Sequence, residues 1–79
     1  MIRHFLLQRL DEPPYMAAET TDSRKAKFVP VWTFRSWDEL ERFFLKIGAT
    51  PEELHTVEQA IQPAGIAHLV IENAITAAN

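Results

Sequence analysis

Two helix starts, at positions 36 and 50, constrain this chain more than any other feature. Ser36-Trp37-Asp38-Glu39 and Thr50-Pro51-Glu52-Glu53 each place a hydroxyl residue three positions ahead of a glutamate. In that pattern the hydroxyl oxygen accepts from the N3 amide and the glutamate returns to the N-cap amide. From Trp37 onward, Leu40, Phe43, Phe44 and Ile47 fall on one helical face, and Gly48 is placed to end that helix in a left-handed conformation. The second helix has proline at its first position, where the missing N–H costs nothing. Leu54, Val57, Ala60 and Ile61 form its apolar stripe, and Pro63 with Gly65 closes it. Two short helices, each apolar on one side and joined by two residues, need a common surface to cover.

The rest of the chain supplies it as strands. Residues 2–10 alternate, with Ile2, His4, Leu6, Gln8 and Leu10 on one side and Arg3, Phe5, Leu7 and Arg9 on the other. Asp11-Glu12-Pro13-Pro14 stops this strand, because proline has no ladder N–H. Tyr15 to Glu19 reads as a short second strand, and Thr20 to Lys25, which holds no apolar residue, as a hairpin loop. Residues 26–35 read as a third strand on β-branched and aromatic content, irregular because Pro30 sits inside it. Gly65 to Asn73 is open to two readings. Ile66, Leu69, Val70 and Ala77 share a helical face, but Leu69-Val70-Ile71 suits a strand, and a small sheet gains from another strand. The strand is preferred, with residues 74–79 as a frayed tail. The expected fold is a single α+β domain over 1–79, in the order β-β-β-α-α-β, with both helices on one face of an antiparallel-rich sheet.

Composition enters mainly through what it removes. The chain has 79 residues, a length that buries roughly 60% of the surface its unfolded form exposes, so it folds alone with little margin. It has no cysteine, which excludes disulfide frameworks, cysteine-based metal sites and thiol nucleophiles. The formal charge of −3 argues against non-specific attraction to nucleic acid. No run approaches the ~18 apolar residues of a membrane span. The first ten residues are interrupted by Arg3, His4, Gln8 and Arg9, unlike a signal-peptide core. A cytoplasmic setting without a membrane partner is the expectation.

Little in the sequence points to catalysis. Ser36 is accounted for as a cap, and Ser23 has no histidine near it in sequence. His4 and His68 would form an acid–base pair if adjacent strands brought them beside a carboxylate, but read more simply as edge or surface histidines. Glu52-Glu53-Leu54-His55 contains a single Glu-x-x-His, where di-metal carboxylate bundles use two. Neither glycine belongs to a phosphate-binding loop. No catalytic residue, cofactor or metal is expected. A small enzyme or ligand binder around Tyr15, Trp32 and His68 is the third reading.

The charges are unevenly divided. Residues 1–35 hold six basic and four acidic side chains, and residues 36–79 hold two basic and seven acidic. With acidic helices over one sheet face, the alternation suggests an opposite face built from Phe5, Leu7, Val29 and Val31. That apolar centre would be bracketed by Arg3, Arg9, Lys27 and Arg35. An apolar middle with a charged rim suits a protein interface. The favoured expectation is a non-catalytic interaction domain, forming a homodimer or binding another protein through this face or a strand edge. The alternative is a nucleic-acid accessory protein using those basic residues with Arg24 and Lys25, weakened by Phe5 being the only aromatic platform.

Overall fold

The structure, a computed structural model, describes residues 1–20 and 31–75. Its elements are β1 (Arg3–Arg9), β2 (Tyr15–Thr20), β3 (Val31–Phe34), α1 (Trp37–Lys46), α2 (Pro51–Ala64) and β4 (Ile66–Ile71). All strand pairs are antiparallel, in the order β3-β2-β1-β4. The fold is thus the expected α+β arrangement, and the last apolar run is a strand. Residues 26–30 of the expected third strand and 21–25 of the expected loop lie outside the described residues, as do 76–79.

The helices form as their caps direct. Ser36 Oγ accepts from the Glu39 amide at 3.2 Å, but the Glu39 carboxylate reaches one residue further back than expected, accepting the Arg35 amide at 2.7 Å. At Thr50 the box is reciprocal: Thr50 Oγ1 accepts from the Glu53 amide and Glu53 Oε1 from the Thr50 amide. Helix α2 runs through Pro63 to Ala64, and Gly65, at φ 77°, donates its amide to the Ile61 carbonyl at 2.8 Å.

Both helices lie on one side of the sheet, α2 against β4 and β1 and α1 against β3. Between the layers lie Phe5, Leu7, Ala17, Phe34, Leu40, Phe44, Leu54, Val57, Ile61, Leu69 and Ile71, all buried. Ala60, expected in the α2 stripe, is exposed. Aromatic rings fill the β3 end: Phe5 meets Phe44 edge-on at 4.9 Å between centroids, and Phe43 sits 5.3 Å from both Trp32 and Phe34. Such ring pairs add roughly 0.5–1.5 kcal/mol each beyond the area they bury.

The chain after β4 folds back over the end of α1. Ala74 is buried, its amide bonds to the Met1 carbonyl, and the Ile75 amide bonds to the Ile47 carbonyl at 2.9 Å. The first two residues of the expected tail are therefore hydrogen-bonded into the domain.

Candidate protein–protein interface

The strand register decides which side chains share the side away from the helices. Leu6 lies opposite Ala18 and His68, and Ala18 opposite Val31. Gln8 lies opposite Met16 and Ile66, and Met16 opposite Thr33; His4 lies opposite Thr20 and Val70. Directly paired residues project to the same face. The open face of the described strands therefore comprises His4, Leu6 and Gln8 of β1, Met16, Ala18 and Thr20 of β2, Val31 and Thr33 of β3, and Ile66, His68 and Val70 of β4. None of these is Asp, Glu, Lys or Arg. Val31, Ile66 and Val70 are 54%, 45% and 39% exposed.

This corrects the face expected from alternation. Phe5 and Leu7 are 1% and 0% exposed and point under the helices, on the side opposite Val31. Both faces of β1 are apolar, so its alternation alone leaves the phase undecided. The arginines at its ends misled, because a long side chain on a core-facing position can lay its stem on the core and carry its charge past the margin. Arg3 does so with Nε on Glu19 Oε2 at 2.8 Å and Nη2 on Glu19 Oε1 at 2.6 Å. Its guanidinium also stands 5.3 Å from the Phe5 ring centre and donates to the Ile75 carbonyl. The bond to Glu19 raises the Arg3 pKa above its ordinary value. Arg9 donates to the Gln62 carbonyl at 2.7 Å, near the end of α2, where a cation meets the negative end of the helix dipole.

Two of the four residues of the expected basic rim thus do not border the open face. Arg3 and Arg9 belong to the helix side, and Arg35 is exposed beyond the end of β3. Lys27 and Val29, with Arg24 and Lys25, lie outside the described residues. Tyr15 and Trp32 project to the helix side and His68 to the open side, so the residues of the small-ligand reading do not converge.

His4 and His68 do share the open face, as diagonal neighbours on paired strands, since His4 is opposite Val70 and His68 opposite Leu6. Among the described residues no carboxylate joins them on that face. A shallow groove of about 240 Å³ runs between α2 and β4, lined by Glu53, Thr56, Val57, His68, Leu69 and Val70. Its one carboxylate, Glu53, is occupied as the α2 cap. Among the described residues no three His, Asp or Glu side chains are grouped to hold a metal ion, and no helix is long and apolar enough to cross a membrane.

The hydrogen-bond phase of the β4 edge follows from two bonds that continue the ladders. The Arg9 amide donates to the Gly65 carbonyl at 2.8 Å, in register with the β1–β4 pairing, and the Leu10 amide to the Pro14 carbonyl at 2.7 Å, in register with β1–β2. Bonded and non-bonded pairs alternate along an antiparallel ladder. Ala67, Leu69 and Ile71 consequently bond inward to β1. Ile66, His68 and Val70 turn their N–H and C=O groups away from the sheet. Natural edges are usually guarded by charge, proline or a bulge, and the six residues Ile66–Ile71 contain neither a charged residue nor proline. The sequence already held this signal in Ile66-Ala67-His68-Leu69-Val70-Ile71, once its strand is known to be an edge.

Comparison with protein-family models, curated proteins and solved structures found no match.

Proposed function

We propose that this chain is a non-catalytic protein–protein interaction domain that associates with a second copy of itself through its uncharged sheet, at the open face or at a strand edge. One observation carries the reading: a four-stranded open face with no Asp, Glu, Lys or Arg among its described residues, rich in partly exposed aliphatic side chains. A second copy suits this face better than an acidic or basic partner. Self-pairing sets a surface of one charge sign against the same sign, which an uncharged surface avoids, and a charged partner would find no countercharge here. The nucleic-acid alternative loses support for the same reason, since Arg3 and Arg9 are engaged within the chain.

Size sets the strength expected. Four strands ~4.8 Å apart and about six residues long make a face of roughly 400 Å². That is about half of the ~800 Å² per partner in a standard stable interface, so the association should depend on concentration.

The test is solution mass by light scattering. The wild type should approach about 18 kDa, twice the 9.1 kDa chain, as concentration rises. Ile66→Asp, a change at an exposed position, should hold it at the monomer mass. A wild type that stays monomeric into the millimolar range, or an Ile66→Asp variant that dimerises equally well, would contradict the reading.

A further inference from the structure

The geometry points to a specific contact: β4 pairs with β4 of the second copy, antiparallel and centred on His68, to make a continuous eight-stranded sheet. This rests on the self-association proposed above and places its contact at the β4 edge, with the open faces left side by side.

The outward main-chain groups come first. Ile66, His68 and Val70 each present one N–H and one C=O at an edge without charge or proline. A two-fold axis perpendicular to the sheet keeps both helix layers on the same side, so it must pair open-face residues with open-face residues. Centring that axis on His68 pairs Ile66 with the partner's Val70, His68 with the partner's His68, and Val70 with the partner's Ile66. All six outward groups on each copy then find partners in closely bonded pairs. Centring it on Leu69 instead leaves Ile66 facing the partner's Glu72, in the turn beyond the strand.

Side chains fit the same register. On the open face two Ile–Val pairs flank the central histidines, and β-branched side chains pack well against neighbours on a pleated surface. On the helix side Ala67 meets the partner's Leu69. A groove separates α2 from β4 beside this edge. On the α2 side this groove is lined by Thr56 and by Glu53, whose carboxylate is turned back to accept the Thr50 amide.

The central pair gives a sharp experiment, because like charges directly opposite one another on a sheet repel and opposite charges attract. His68→Lys and His68→Glu are made separately; His68 is exposed, and circular dichroism checks that each variant folds. By light scattering each variant alone should fall from about 18 kDa toward the 9.1 kDa monomer. Mixed in equal amounts they should recover the dimer mass, and native mass spectrometry should find the mixed species in excess over either homodimer. Val31→Asp, on the opposite edge strand, should leave the dimer intact. If both His68 variants dimerise like the wild type while Val31→Asp dissociates, the copies pack face to face. The β4 register is then overturned, although self-association stands. A wild type that never dimerises overturns both.

Discussion

Phe5, Leu7, Arg3 and Arg9 show how one strand can read convincingly on the wrong face. Phe5 and Leu7 sit under α1 and α2 with almost no exposure, and the arginines beside them are spent on Glu19 and on the Gln62 carbonyl. Leu7→Ala should therefore act on stability, lowering it by about 2–5 kcal/mol in urea or thermal unfolding, as for any buried leucine. A small loss of stability with loss of the dimer would instead place Leu7 in the contact. The Arg3–Glu19 pair adds local strength, and the sign of its pH dependence is clear. A raised guanidinium pKa means that the stabilisation linked to Arg3 protonation is present below the ordinary arginine range and is lost as the pH rises through it.

At the scale of elements, the helices were legible because their signals are local. Ser36, Thr50, Pro51 and Gly65 all act within a turn of where they stand. Strand β4 was legible too, through its β-branched run. The faces of β1 were not, because they depend on which strand lies beside which, and order β3-β2-β1-β4 is a property of the whole sheet. The exposed edge was hidden for the same reason. Gly48 lies between the two cases. Its role as a left-handed helix end is readable, and the structure bears it out at φ 110°. Its second role is not readable. A Cβ there would stand 2.7 Å from the Asn73 carbonyl oxygen, where the chain leaving β4 crosses the end of α1. Gly48→Ala should cost more than the roughly 1–2 kcal/mol of a left-handed alanine, read as a lowered unfolding midpoint. A variant within a few tenths of a kcal/mol of the wild type would show that this crossing yields easily.

Among the described residues the molecule divides into an acidic helix layer and an uncharged open sheet face, with Arg3 and Arg9 drawn to the helix side. Edge pairing through β4 would bring two α2 helices near each other, each with Glu52, Glu53 and Glu58 and no lysine or arginine. Salt screens that repulsion within a Debye length of ~10 Å at 0.1 M, so the dimer should tighten between low and moderate salt. Binding to nucleic acid would weaken over the same range, which separates the two readings by direction alone.

The most direct measurement is amide hydrogen exchange at Ile66, His68 and Val70 as a function of protein concentration. In a single copy these amides face away from the sheet and should exchange quickly. In the paired form they are ladder bonds, so their protection should climb with concentration, while Ala67, Leu69 and Ile71 stay protected throughout. Fast exchange at all three positions across the whole concentration range would contradict the account.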